Sequence, residues 1–92
     1  FPKAVRFTFS TRIDNLALDI LDDIVAARFS ARDEKIRFLR HADLGLARLM
    51  ALFRLCHDRH LIGDGGYEHL SRRLVEVGSM LGGWREAARQ RR

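Results

Sequence analysis

Apolar residues recur at steps of three and four positions along three successive stretches of the chain. The first stretch covers about 9–29 and repeats apolar side chains at Ile13, Leu16, Ala17, Ile20, Ile24 and Ala27. The second covers about 31–60 and repeats them at Leu39, Ala42, Leu46, Leu49, Phe53 and Cys56. The third covers about 65–89 and repeats them at Tyr67, Leu70, Leu74, Val77, Leu81 and Trp84. This spacing puts each set on one helical face, so the pattern predicts three amphipathic α-helices.

Residues that favour helix ends mark the boundaries of these stretches. We expect the first helix to start between Thr8 and Thr11, where hydroxyl groups can accept hydrogen bonds from free backbone N–H groups. Ser30 lies three residues before Asp33, a spacing that predicts a capping box at the start of the second helix. The glycine-rich segment 63–66 predicts a turn before the third helix, because glycine within a helix costs stability.

Three amphipathic helices joined by short connections are expected to form one antiparallel, all-α bundle. The 92 residues suffice for one domain, in which each apolar stripe is expected to pack against the other two. A second set of apolar residues lies well round the first two helices from these stripes. That set comprises Leu18, Leu21, Val25, Leu44, Leu52 and Leu55. Because an exposed apolar patch marks an interaction site, we expect a missing helix or a neighbouring subunit to cover it.

The positive charge of the chain is carried almost entirely by arginine. The net charge is +5, and two of the 17 basic residues are the lysines Lys3 and Lys35, which leaves fifteen arginines. Guanidinium groups form forked hydrogen bonds to phosphate and carboxylate, so this composition favours a polyanionic or acidic partner. The alternative explanation is a GC-rich genome, which encodes arginine in place of lysine throughout.

One group of arginines is spaced along the second helix. Arg37, Arg48 and Arg59 are eleven residues apart, so they fall on one line within about 40°. The leucines on the same line are Leu44, Leu52 and Leu55. We call these six residues the arginine–leucine face and interpret it as a surface that binds a protein partner, since arginine is enriched in interfaces. The alternative is a solvated face with incidentally exposed leucines.

A second group of arginines lies at the end of the last helix. We call it the arginine tail, and it consists of Arg85, Arg89, Arg91 and Arg92. Compensation of the helix dipole would need one or two of these cations, so we interpret the tail as a nucleic-acid-binding surface. Segment 13–29 has the opposite character, because it holds one arginine, Arg28, and four aspartates. The sequence therefore predicts separate acidic and basic surfaces.

No group of residues has the arrangement that catalysis or metal binding requires. Cys56 and His60 are four residues apart on the second helix, but two ligands do not make a zinc site and Cys56 falls on the apolar stripe. Segment 78–83 lacks the lysine and preceding strand of a phosphate loop, and its Gly78 and Gly82 suit close helix packing instead. We expect a protein that is not an enzyme and uses no metal or cofactor.

The cellular compartment follows from three features of the sequence. A single cysteine cannot form an internal disulfide, no apolar run is long enough to cross a bilayer, and no signal peptide precedes the first helix. These features predict a cytoplasmic protein without a membrane partner.

Four ordered segments carry a resemblance to a known family. They are FPK with RFT near the start, ADLGLARL at 42–49, the Tyr67 start of the last helix, and EVGSMLGGW at 76–84. Together they resemble the Avd family, the accessory variability determinants of diversity-generating retroelements. That family is related to four-helix proteins encoded in intervening sequences of large-subunit rRNA genes. The resemblance runs from Phe1 to about Arg85.

The resemblance implies a four-helix bundle that assembles into a pentameric barrel with a basic surface. It implies binding to a reverse transcriptase and to template RNA or an RNA/DNA hybrid, in support of adenine-directed mutagenic cDNA synthesis. It also implies that the first of the four helices is absent from this sequence, which begins at Phe1 without a methionine. The resemblance transfers no individual contact residues, so the site predictions rest on the charge pattern.

Two functions of different classes remain as hypotheses. In the first, the protein is a non-enzymatic accessory factor of a reverse transcriptase and binds RNA through its basic surface. In the second, it is a self-assembling structural bundle of the rRNA intervening-sequence type with no specific nucleic-acid role.

Overall fold

The chain folds into three long helices joined by short connections. In the computed structural model, which describes residues 3–90 and their side chains from Phe7 onward, the helices are α1 (Lys3–Arg28), α2 (Arg32–Asp58) and α3 (Asp64–Gln90). No strand occurs in this range. The predicted all-α class and the three helices are therefore confirmed. No described helix is long and apolar enough to cross a membrane.

The three helices form an open layer with α2 in the middle. Both α1 and α3 pack against α2, and within residues 3–90 they do not pack against each other. The Cα atoms extend over 52 × 22 × 13 Å with a radius of gyration of 15.1 Å, whereas a compact chain of this length has about 12 Å. The expectation that each apolar stripe packs against the other two was therefore wrong. It fails because α1 and α3 occupy different sides of α2.

Neighbouring helices run antiparallel, as contacts at both ends of the layer show. At one end, Arg32 at the start of α2 donates from Nη2 to the backbone carbonyl of Arg89 near the end of α3, at 2.9 Å. At the other end, the rings of His57 and Tyr67 stack with centroids 4.4 Å apart. Between α1 and α2, the carboxylate of Asp23 near the end of α1 forms a hydrogen bond with the ring of His41 in the first half of α2.

Burial is concentrated on the central helix. All six apolar positions predicted for the α2 stripe are buried. On α3, Leu81 is the one buried member of the predicted stripe, and its other five members are half-buried; on α1, Ala17 is exposed. The difference follows from position, because α2 has a neighbour on two sides whereas α1 and α3 have one each.

The close packing of α1 against α2 depends on a glycine. A Cβ built on Gly45 would lie 2.7 Å from Cγ1 of Ile20, which is too close for carbon atoms that are not bonded. Ile20 is 7% exposed and belongs to the core, so its side chain has little room to move. Gly45 therefore lets α1 approach α2 closely at this level.

Gly45→Ala should lower the free energy of unfolding by about 1 to 2 kcal/mol, because overpacking outweighs the gain in helix propensity. Gly83→Ala is the matched control, since Gly83 lies in α3 and its added Cβ would have no atom within 4 Å. That control should raise stability by up to about 1 kcal/mol. Urea unfolding followed by circular dichroism measures both, and equal stabilisation by the two changes would disprove the close contact.

One predicted helix start and one predicted cap were wrong. The first helix begins at Lys3, before the threonines, because nothing between Lys3 and Thr8 breaks the helix. The capping box at the start of α2 does not form: the N-cap is Ala31, which makes no side-chain cap hydrogen bond. Ser30 instead donates from Oγ to the carbonyl of Ala26 at 2.6 Å. Its hydroxyl thus gives a second hydrogen bond to a carbonyl at the end of α1 that also accepts the N–H of Phe29 at 3.3 Å.

The connection between α2 and α3 turns at a histidine and not at the glycines. His60 has a positive φ of 60°, and no described glycine does. The backbone N–H of His60 bonds the carbonyl of His57 at 3.0 Å, and that of Leu61 bonds the carbonyl of Cys56 at 2.8 Å. This pair of bonds is a Schellman motif, which ends α2 at Asp58. The predicted turn at 63–66 was therefore placed too late, because α3 already begins at Asp64.

Candidate functional site

The exposed side of α2 presents most of the arginine–leucine face. Arg37 and Arg48 are exposed, and Leu44 and Leu55 remain 49% and 40% exposed. Leu52 is half-buried and packs against the core. The structure thus places these five residues along one side of a single rigid helix.

Arg59 lies at the end of this face. It is the C-cap of α2, with φ −92° and ψ 8°, and its backbone N–H still bonds the carbonyl of Leu55 at 3.0 Å, so it follows the path of the helix. Its guanidinium carbon lies 6.0 Å from the centroid of the Phe9 ring on α1. The helix predicted to continue to about 60 thus ends at Asp58, with Arg59 as its cap.

A shallow groove between α1 and α2 gathers part of the arginine–leucine face. It is lined by Arg12, Leu16, Arg48, Ala51, Leu52 and Leu55. The sequence reasoning missed Arg12, because its position beside Arg48 depends on how α1 lies across α2. The groove combines two guanidinium groups with an apolar floor, which suits a partner with both carboxylate and aliphatic side chains.

The described part of the arginine tail lies against α2. Arg85 is half-buried, and its Nη1 lies 3.6 Å from Oδ2 of Asp43 on α2. Arg89 is exposed, and its Nη1 lies 3.7 Å from Oε2 of Glu86. The helix continues through both residues to Gln90. The other two members of the tail, Arg91 and Arg92, lie outside the described residues.

A second groove brings the two predicted clusters together. It runs between α2 and α3 and is lined by Arg40, Asp43, Leu44, Ala47, Arg85 and Arg89. Leu44 of the arginine–leucine face thus shares a groove with Arg85 and Arg89 of the tail. Arg40 was missed by the sequence reasoning, although its spacing of four residues from Leu44 indicates the same side of α2. The basic surface is therefore continuous from α2 to the end of α3.

Arg37 and Arg48 of the arginine–leucine face differ in their pairing from the arginines of α3. Arg72 lies 3.2 Å from Glu68 and Arg73 lies 3.6 Å from Glu76, in pairs within α3 itself, and Arg85 and Arg89 are paired as well. Among the described residues, neither Arg37 nor Arg48 forms an ion pair. The charges of these two guanidinium groups are therefore not balanced by a carboxylate within residues 3–90.

The predicted acidic surface lies on α1. Asp14, Asp19 and Asp22 are exposed, whereas Asp23 is largely buried against His41. Next to the exposed aspartates, Leu18, Leu21 and Val25 are 57%, 54% and 50% exposed. This side of α1 is both acidic and apolar.

The cysteine and histidines at the end of α2 have structural surroundings. Cys56 is buried, and burial raises the pKa of its thiol, so it stays protonated at neutral pH. His57 lies 2.6 Å from Asp64 and stacks on Tyr67. Between residues 3 and 90, no group of three or more histidine, cysteine, aspartate or glutamate side chains is placed to hold a metal ion.

Comparison with models of known protein families places the chain beside one of them. A family model described as bAvd-like matches residues 1–88. No curated protein matches the chain, and no solved structure does. The matched range includes all three helices almost to the end of α3.

Proposed function

The chain belongs to the bAvd-like family of accessory proteins, and we propose that it is a non-enzymatic partner of a diversity-generating reverse transcriptase. In this proposal it binds the polymerase and the template RNA, or an RNA/DNA hybrid, and supports mutagenic reverse transcription. The observation that carries the proposal is the continuous basic surface of α2 and α3, which is lined by Arg40, Arg85 and Arg89 in the groove between them.

The chemistry of this surface suits contacts with phosphates. The cationic side chains of its groove are the guanidinium groups of Arg40, Arg85 and Arg89, and each can donate two hydrogen bonds to one phosphate. No aromatic side chain that could stack on a base lines this groove. We therefore propose that the surface binds the RNA backbone and does not read its sequence.

RNA affinity should fall steeply and log-linearly with salt concentration, because each phosphate contact releases condensed counterions. Unrelated RNAs of equal length and structure should bind with similar affinity. Fluorescence anisotropy with labelled RNAs between about 50 and 300 mM salt covers the useful range. Affinity that persists at high salt would show that the contact is not electrostatic and would remove the basis of the proposal.

We propose that a fourth helix completes the bundle and that the protein forms a homo-oligomer, of which a pentamer is the expected size. Two observations support this part of the proposal. The side between α1 and α3 is open, because these helices do not pack together within residues 3–90. In addition, five apolar residues of the α3 stripe remain half-buried. Light scattering on the full-length protein should give the mass of several protomers.

A self-assembling structural bundle without a nucleic-acid role is the second candidate function. The exposed leucines and valine of α1 favour it, since they indicate assembly and say nothing of RNA. The gene neighbourhood separates the two functions. A reverse-transcriptase gene and a pair of near-identical template and variable repeats beside the gene for this protein would favour the accessory role. Under either function we expect a cytoplasmic protein.

A further inference from the structure

Two exposed faces of the protomer are opposite in charge and alike in form. Each combines unpaired charges with exposed aliphatic side chains on one helix. Asp14 and Asp22 lie on α1, and Arg37 and Arg48 lie on α2. None of the four forms an ion pair within residues 3–90. Within residues 3–90, no ion pair therefore neutralises the charge of these four residues.

The acidic face of α1 consists of Asp14, Leu18, Leu21, Asp22 and Val25. Asp14, Leu18 and Asp22 follow one another at intervals of four residues, so the two carboxylates flank Leu18 within about 40°. Leu18 lies about 160° round the helix from Ile20, which is buried against α2. The acidic face thus points away from α2 and stays accessible after the protomer has folded.

The arginine–leucine face of α2 has the complementary order. Arg37, Leu44, Arg48 and Leu55 alternate along the helix and fall within about 40° of one line. Leu44 and Leu55 are 49% and 40% exposed. Arg48 and Leu55 border the groove towards α1 and Leu44 borders the groove towards α3, so the face occupies the exposed side of α2 between its two neighbours.

We propose that the acidic face of α1 in one copy docks on the arginine–leucine face of α2 in a second copy. This inference rests on the assembly that forms part of the proposed function, and it names the surfaces that meet. A second copy is the occupant because the required chemistry, aspartates around exposed aliphatic groups, is present on the chain itself. Complementary charges favour this register and disfavour contacts between two like faces.

The spacing of the charges agrees between the two faces. Asp14 and Asp22 are eight residues apart, which is roughly 12 Å along a helix, and Arg37 and Arg48 are eleven apart, or roughly 16 Å. The difference is within the reach of flexible arginine side chains. The leucines between the charges can then pack together while both arginines contact carboxylates.

The contact joins different surfaces of the two copies, so it is heterologous. A copy that uses its α1 face still offers its α2 face to a third copy, and repetition gives a closed ring or an open chain. Closure would cover every acidic face and every arginine–leucine face. The arginine tail contributes no residue to this contact, and Leu44 is the point where the docked face borders the groove that Arg85 and Arg89 line.

The test uses charge reversal on each face of the full-length protein. One variant carries Asp14→Arg and Asp22→Arg, and a second carries Arg37→Asp and Arg48→Asp. Each should lower the association constant by roughly 100-fold or more, because attraction is replaced by repulsion between like charges. A third variant that carries all four changes should regain assembly, since its two faces are again complementary. Arg54→Asp is the control, as Arg54 is exposed on α2 about 100° from Arg37.

Light scattering at micromolar concentration gives the assembled mass, and far-ultraviolet circular dichroism shows whether each variant is folded. Loss with each reversal and recovery in the combined variant would support the inference. Unchanged mass after either reversal would overturn it. Loss of polymerase capture by the α2 variant with assembly intact would also overturn it, and would assign the face to the polymerase. If the unmodified protein is a monomer, both this inference and the proposed homo-oligomer are overturned. The RNA-binding role is tested separately, by the salt titration.

Discussion

Replacing the four arginines of the tail with glutamine should lower RNA affinity by about 10- to 100-fold at 0.1 M salt and flatten the salt dependence. Each arginine that contacts a phosphate contributes a little under one unit to the slope of log affinity against log salt. Arg85 adds a second effect, because its loss leaves Asp43 unpaired at the groove. The unpaired carboxylate would then repel phosphate.

The matched control removes positive charge from the same helix outside the tail. Arg72→Gln and Arg73→Gln should change RNA affinity much less, because these two residues do not line the groove that Arg40, Arg85 and Arg89 share. Assembly and polymerase association should stay largely intact in the tail variant. Filter binding with labelled RNA over a salt series, together with light scattering, gives both readouts. If the control lowers affinity as much as the tail variant does, net charge and not the tail explains the binding.

Replacing Arg37 and Arg48 with glutamine should have the reverse effect and weaken protein association. Buried arginines that anchor an interface contribute on the order of 1 to 2 kcal/mol each, so the pair should cost about 30- to 1,000-fold in association. Both side chains are exposed on the rigid α2 and lack ion pairs among residues 3–90. RNA affinity should change little by comparison.

Pull-downs with the reverse transcriptase and with labelled RNA separate these effects, with light scattering as the measure of self-assembly. Arg54→Gln serves as the control, because it removes one charge from another side of α2. Leu44 shares a groove with Arg85 and Arg89, so the arginine–leucine face and the tail could also act together as one binding site. If the tail variant and the α2 variant both lose RNA and protein partners equally, the basic surface acts as one site and the division between its parts is wrong.

Local patterns in the sequence predicted the helices and the sides they expose. The three-four repeat predicted all three helices, and every apolar position predicted for the α2 stripe is buried. The arginine–leucine face was predicted from spacing alone. These predictions succeeded because helical periodicity is a local property: residues three and four positions apart share a face whatever the helix packs against.

Helix ends were predicted less well, because alternative hydrogen bonds compete there. Ser30 matched a capping box, yet its hydroxyl bonds the carbonyl of Ala26 behind it. The sequence predicted the turn at the glycines of segment 63–66, but the residue with the left-handed conformation is His60. Both outcomes depend on the geometry of the connection between two consecutive helices. A short stretch of sequence does not specify that geometry.

The tertiary structure alone decided which residues from different helices share a surface. Arg12 joins Arg48 in one groove, and Arg40 joins Arg85 in another. Placement of α1 and α3 on different sides of α2 also decided that the apolar stripe of α2 is fully buried, while most of the α3 stripe is left half-buried. The physical reason is that a repeat specifies an apolar direction on each helix, whereas the partner that covers it depends on contacts between residues far apart in sequence.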